Sequence, residues 1–289
     1  MTTKTWNAAQ YLKFASERTL PARDLVSRIQ TLQTRAPRRI IDLGCGPGNS
    51  TTVLTTHYPD ARITGLDSSP AMIQKARSSF AASSPSPPAA KVDFAVADIA
   101  TYTPTTTSPE PVDLYFSNAV FHWLTREQRI ATIKRLMAAQ PAGGIFAFQV
   151  PDNLAEASHV AMRETAAAAG PWRAKLVGKV VDREEMQSAQ EIYDRLVGGD
   201  EGEGDGGSVV QAVEIWRTEY VHSLESHAAV VEWVKGTGLK PFLDAVGEGD
   251  EREAFLAEYL RRLERAYPVS RDGRVLLAYP RLFVVAVRK

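Results

Sequence analysis

A buried-strand run that ends in three alternate glycines constrains this chain more than any other feature. It reads Arg39-Ile40-Ile41-Asp42-Leu43-Gly44-Cys45-Gly46-Pro47-Gly48-Asn49-Ser50. Ile40, Ile41 and Leu43 supply an apolar, β-favouring strand, and the glycines supply a turn that opens a helix. A backbone without Cβ atoms lets a ligand lie directly against it. Beyond Gly48 a second strand-like run, Ala61-Arg62-Ile63-Thr64-Gly65-Leu66, ends in Asp67. A carboxylate there can accept both hydroxyls of a ribose. The expectation is an open α/β sheet holding a nucleotide-like ligand.

The glycine spacing selects among such ligands. A nicotinamide or flavin fingerprint places its third glycine at position 49, where this chain has Asn49. Here the pattern is G-x-G-x-G, with Asp42 two residues before the first glycine. That acid suits the ammonium of an amino-acid ligand better than a pyrophosphate. The stretch resembles motif I of class I S-adenosylmethionine-dependent methyltransferases. The resemblance implies a Rossmann-like fold, with cofactor contacts from Asp42, Gly44, Gly46, Gly48, Asn49 and Asp67, and from Ser68 and Met72 just beyond. Ser69 and Pro70 suit the cap and first turn of the next helix. Val92 to Ile99 forms a third strand, and the resemblance puts Asp98 on the adenine amino group and Ile99 on its ring. Val112 to Ala119 is a fourth strand that brings Asn118 to the same edge, since open α/β sheets bind ligands beyond the carboxyl ends of their strands.

Composition narrows the partners. With 34 basic and 34 acidic residues the formal charge is zero, so nucleic acid is a poor partner. No apolar run reaches the ~18 residues of a membrane span, and Met1 to Asn7 lacks the apolar core of a secretory signal. Cys45 is the single cysteine, which excludes an intrachain disulfide and suits a reducing, cytoplasmic setting. Cys45 reads as a small residue required by the turn, not a nucleophile, because no activating histidine lies near it in sequence.

Along the chain, residues 8–35 carry helical spacing, and residues 1–35 are assigned to N-terminal helices ahead of a cofactor-binding half at 36–150. Residues 81–90, with three prolines, and 101–111 read as loops. Residues 126–139 read as an amphipathic helix and 145–150 as a fifth strand. Helix is expected over 152–180 and about 183–197, strand over 212–221, helix at about 226–235 and 250–266, and a last strand over 282–287. Residues 198–208, dense in Gly, Asp and Glu, read as a mobile acidic loop. A metal site there lacks calcium-loop spacing, and no metal is assigned. The expected whole is one methyltransferase domain over 1–289. Its sheet has seven mostly parallel strands with the last antiparallel, and segments 151–182 and 222–272 form a helical cap.

Several stretches sharpen the resemblance: Tyr11-Leu12-Lys13-Phe14-Ala15-Ser16-Glu17-Arg18, Asp67 to Ile73, Phe121-His122-Trp123-Leu124, Pro151-Asp152-Asn153 and Tyr279-Pro280-Arg281-Leu282-Phe283. Together they are similar to the trans-aconitate methyltransferase family, nearly end to end. The resemblance implies esterification of one carboxylate of a small polycarboxylic acid, with S-adenosylhomocysteine as the other product. An ionised carboxylate needs no general base, so no catalytic base is assigned and His122 is at most an orienting group. A polyacid calls for cations and amphipathic aromatics. Arg18, Tyr11, His122, Trp123, Arg281, His222 and Trp172 are the substrate-binding candidates. Arg173 and Lys175 read as a solvated helix face, and Trp233 and Lys235 as core and surface of a helix. His122 stands where bacterial relatives commonly carry glutamine, which bears on the choice of acid. Isopropylmalate, an aromatic dicarboxylate or a natural-product carboxyl are alternative acceptors. A cofactor-binding regulator without catalysis is the rival outside enzymes, and monomer and dimer both stay open.

Overall fold

The computed structural model describes residues 15–82, 91–104, 110–179, 184–198 and 208–289. The chain divides into two compact units. Unit 1 comprises 1–150, 186–217 and 282–289, and unit 2 comprises 151–185 and 218–281.

Unit 1 begins with α1 (Ala15–Leu32), then alternates β1 (Arg39–Leu43), α2 (Asn49–His57), β2 (Arg62–Asp67), α3 (Pro70–Ala82), β3 (Lys91–Val96), β4 (Leu114–Asn118), α4 (Arg126–Ala138) and β5 (Ile145–Pro151). α7 (Ala189–Val197) follows after unit 2's first segment, which holds α5 (Ala157–Ala167) and α6 (Arg173–Leu176). β6 (Val210–Leu224), α8 (His227–Lys235), α9 (Lys240–Val246), α10 (Asp250–Ala266) and β7 (Val275–Arg288) complete the described elements. The sheet order is β3-β2-β1-β4-β5-β7-β6, with the last strand antiparallel to the other six.

The order turns at β1, which pairs in parallel with β2 on one side and β4 on the other. Two strands that leave in opposite directions from one point open a crevice beyond their carboxyl ends. Register sets its floor, because Asp42 pairs with Gly65 on β2 and with Phe116 on β4. The strands are apolar runs because both sheet faces are covered. Ile41, Leu43, Tyr115, Phe146, Phe148 and Leu282 share one buried cluster, and each such side chain contributes roughly 1.5–3 kcal/mol of burial. At the opposite end, the Asp113 carboxylate accepts the N–H groups of Arg38 and Arg39 at 2.9 and 3.0 Å, pinning the start of β1. Thr125 and Gln128 close a reciprocal capping box at the start of α4, worth about 1 kcal/mol.

In unit 2, Trp172 packs edge-on against Phe255. The hydroxyl of Tyr267 accepts the N–H of Ser158, and that of Tyr259 donates to its carbonyl.

Several element boundaries differ from expectation, each for a local reason. Residues 152–180 hold two helices because Gly170-Pro171 breaks them. The helix expected from about 183 starts at Ala189, after the N-cap Ser188 accepts the Glu191 N–H. α9 was not expected; Pro241 sits in its first turn, where no N–H is needed. β7 begins at Val275, not Leu282, and runs through Pro280. The loop readings at 81–90 and 198–208 fall mostly outside the described residues.

Candidate functional site

The glycine loop is held from beneath. The N–H groups of Gly44 and Cys45 both donate to the carbonyl of Leu66 at the end of β2, at 2.7 and 2.8 Å. At Gly44 (φ +72°) an added Cβ would lie 2.3 Å from Val120, so the chain after β4 packs directly on the loop. Gly46 (φ +55°) is the opposite case: a Cβ there would meet no atom of the described residues within 4 Å. Backbone is therefore presented to open space at the middle glycine.

Two carboxylates serve this loop. Asp67 accepts the Gly46 N–H through Oδ2 at 3.0 Å and the Ser69 N–H through Oδ1 at 2.8 Å. Burial raises its pKa above the ordinary carboxylate range, opposed by those two N–H groups. Asp42 is fully buried, and its Oδ2 accepts the hydroxyls of Ser50 at 2.8 Å and Thr51 at 2.6 Å. Its Oδ1 has no partner among the described residues, and neither has the buried Nδ2 of Asn49. Burial pushes Asp42 up to about 6, with the Thr51 and Ser50 hydroxyls opposing and the charge of Asp67 adding. An open acceptor on a buried acid wants a cation, and a buried amide N–H wants an acceptor. The residues therefore fit an amino-acid ligand carrying a ribose.

Cys45 is buried beside these acids, and burial together with the charges of Asp42 and Asp67 pushes its thiol far up. A thiol so placed is inert.

The neighbouring loops reach the same edge. The carbonyl of Asp67 accepts the N–H of Ala97 at 3.0 Å, which brings the end of β3 alongside. Asp98 is exposed and caps the Ala100 N–H, while Ile99 is buried and its carbonyl is held by Arg135. Met72 is buried and Ser68 exposed. On β4, the Ser117 hydroxyl donates to the carbonyl of Leu43 at 2.9 Å, and Asn118 accepts the side-chain amide of Gln149.

Ala119 follows with φ 61°, a left-handed backbone that costs a residue with a Cβ about 1–2 kcal/mol. Such strain clusters where function over-determines the chain. Here it sets Val120 against Gly44 and starts the 3₁₀ turn Phe121–Trp123. The sequence offered no signal for Ala119, because alanine is not a left-handed former. That turn carries His122, buried with its ring 4.7 Å from that of Trp123.

Beneath the turn lies another residue that sequence reading missed. Arg129 is fully buried, and its Nε donates to the Phe121 carbonyl at 3.1 Å while Nη1 donates to Gln187 at 2.9 Å. Periodicity placed it on an amphipathic helix without distinguishing it from the solvated arginines. Arg129→Met, which keeps the volume and removes the donors, is expected to destabilise the protein by about 2 kcal/mol. Denaturant unfolding checks this; an unchanged midpoint would mean water takes over both acceptors.

His222 and Arg281 are buried in unit 2. Trp172 is a correction: it is 4% exposed, its indole N–H is committed to the carbonyl of Thr165, and it packs on Phe255 as core. Arg18 belongs to α1, with its side chain outside the description, and Tyr11 lies outside the described residues. Among the described residues no group of three or more His, Cys, Asp or Glu could hold a metal ion, and no helix is long and apolar enough to cross a membrane.

Residues 40–144 match a family model described as a methyltransferase domain. The YcgJ protein of Bacillus subtilis superposes with a TM-score of 0.53 at 14% identity, over 92% of this chain and 97% of that one. That likeness concerns the fold, which is the Rossmann-like fold of class I methyltransferases. Curated relatives are much nearer in sequence. The trans-aconitate 2-methyltransferase of Rhizobium rhizogenes is 45% identical over 98% of this chain and 99% of its own length. That of Agrobacterium fabrum is 42% identical over 98% and 99%. Identity at this level, with the glycine loop and the segment after β4 inside the aligned span, makes the chain a member of the trans-aconitate 2-methyltransferase family.

Proposed function

We propose that this protein transfers a methyl group from S-adenosylmethionine to one carboxylate of a small polycarboxylic acid, with trans-aconitate the first choice of acceptor, in the cytoplasm. The observation that carries the reading is the open acceptor on buried Asp42 beneath a loop that is itself open at Gly46. Asp42 and Asn49 would hold the amino-acid end of the cofactor. Asp67 would hold its ribose, and Ser68, Met72, Asp98, Ile99 and Asn118 its remaining contacts. When bound, S-adenosylmethionine supplies an electrophilic methyl on a sulfonium, which an ionised carboxylate oxygen takes as the thioether departs.

The acceptor carboxylate, with a reference pKa of ~4, carries no proton to remove at neutral pH, so no residue serves as a base. What the chain supplies is alignment, and fixing donor and acceptor in one geometry can lower a barrier by ~7–11 kcal/mol. His122 and Trp123, on a turn braced by Arg129, would orient the acid, with Arg281, His222, Arg18 and Tyr11 as further contacts.

The test is a methyl-transfer assay read by mass spectrometry. It sets trans-aconitate beside isopropylmalate, aromatic dicarboxylates, monoacids and oligonucleotides. One methyl gained on trans-aconitate, with little on monoacids, is the expected result. Turnover on other diacids alone would replace the substrate, and cofactor binding with no turnover on any acid would overturn the enzyme reading.

A further inference from the structure

Side-chain amides close the carboxyl ends of β4 and β5. Asn118 and Gln149 are register partners on these parallel strands, so their side chains lie on one face of the sheet. The residues before them on that face, Leu114 and Phe116 on β4 and Ile145 and Ala147 on β5, are apolar and buried. Gln149 is fully buried and Asn118 is 8% exposed. The side-chain amide of Gln149 donates to Oδ1 of Asn118, and the carbonyl of Gln149 accepts the N–H of Ala119 at 2.9 Å. Gln149 thus holds the end of β4 by main chain and side chain together.

An amide side chain carries one acceptor oxygen and an NH₂ donor. With its oxygen committed to Gln149, Asn118 has only donors to offer, and among the described residues its Nδ2 has no partner. A pair with a purely structural role would satisfy both ends, because an idle donor on a buried residue costs about 1–3 kcal/mol. Register places this donor. Asp42 pairs with Phe116, so Asn118 stands level with Gly44, where β1 gives way to the glycine loop. Val120 packs on that loop, and the turn bearing His122 and Trp123 follows. Asp42 and the idle Asn49 amide already suit the cofactor's ammonium and carboxylate. The Asn118 N–H is left for the other oxygen-bearing ligand.

We propose that Asn118 donates to the reacting carboxylate of the acceptor, at the oxygen that does not attack. Gln149 is the positioning residue that keeps the Asn118 N–H outward. The inference rests on the acid-methylating reading, and it leaves the cofactor contact of Asn118 to its main chain. In the transfer one carboxylate oxygen bonds to the methyl carbon, the carbon–sulfur bond breaks with its electron pair on sulfur, and no proton moves. The charges of carboxylate and sulfonium vanish together. A cation on that carboxylate would favour the ground state over the transition state, whereas a neutral amide orients it with less bias.

The test measures trans-aconitate binding to the S-adenosylhomocysteine complex by calorimetry, together with kcat/KM. The proteins are wild type, Asn118→Ala, Asn118→Asp, Gln149→Met and the double variant Asn118→Ala with Gln149→Met. Loss of a donor to a charged group should weaken acid binding about thirtyfold in Asn118→Ala. Its kcat/KM should fall at least as far, with S-adenosylhomocysteine affinity within about threefold of wild type. Asn118→Asp keeps the bond from Gln149, and with it the fold, but turns an acceptor toward the acid, so its loss should be no smaller. Gln149→Met frees the amide to rotate, and an N–H outward in about one molecule in five gives about a fivefold loss. The double variant should lose no more than Asn118→Ala alone, because Gln149 acts through Asn118. Losses that multiply in the double variant would overturn the proposal. So would a loss of S-adenosylhomocysteine affinity as large as that of the acid, or unchanged acid binding in folded Asn118→Ala or Asn118→Asp. If wild type methylates no acid, the reaction reading fails; acid binding that depends on Asn118 still upholds the contact, and its absence overturns it.

Discussion

Replacing Gly46 by alanine is expected to leave the protein folded and to cost it at least a hundredfold in cofactor affinity, about 2.7 kcal/mol. The two halves of that result have separate causes. A Cβ at Gly46 would meet nothing within 4 Å among the described residues, so none of their side chains is displaced. The backbone stays at φ +55°, which costs alanine about 1–2 kcal/mol and lowers Tm by only a few degrees. The new methyl group stands in the space where a ligand would approach the loop, beside the N–H that Asp67 holds. Gly44→Ala should behave in the opposite order. Its Cβ, 2.3 Å from Val120, would push the Ala119–Val120 segment away and destabilise the fold by roughly 1–3 kcal/mol before any ligand is added. Thermal unfolding and calorimetry with S-adenosylhomocysteine on both variants decide the matter. A Gly46→Ala protein that binds within threefold of wild type would mean the ligand does not lie against this loop.

The contrast between the two glycines also marks what sequence can and cannot carry. That Gly44 and Gly46 form a turn after a buried strand was legible, because strand, turn and helix signals are local and fell in register. The parallel order through β1, β2 and β4 followed from the alternation of elements. Which glycine touches protein and which touches open space was not legible, since Val120 lies far along the chain from Gly44. The same limit hid Arg129, whose meaning depends on a carbonyl of the Phe121 turn and on Gln187. It also misplaced Trp172, whose aromatic chemistry suits a ligand until Thr165 takes its N–H.

Asp42→Asn is expected to make the free protein more stable while costing it about a thousandfold in cofactor affinity, near 4 kcal/mol. Burial raises Asp42 to about 6, well above the ~3.9 of an unfolded aspartate, so at neutral pH its ionised form opposes folding by about 3 kcal/mol. For a raised carboxylate the penalty is absent below the unfolded value, grows as pH climbs from about 4 to 6, and is fully present above. Asparagine carries no such penalty, and its amide oxygen can still accept the Ser50 and Thr51 hydroxyls that now meet Oδ2. A ligand ammonium placed on the open Oδ1 offsets the same penalty in the wild type, which is why an acid kept at a cost to the fold belongs to a binding site. Cofactor affinity should therefore be flat above pH 6 and fall toward tenfold per unit below it. In Asp42→Asn most of that slope should vanish, with a shallower one left from Asp67, whose pKa burial also raises. Unfolding at pH 8 and calorimetry from pH 5 to 8 measure both sides. A variant that is less stable than wild type at pH 8 yet binds S-adenosylhomocysteine normally would show that Asp42 serves the loop and never meets the ligand.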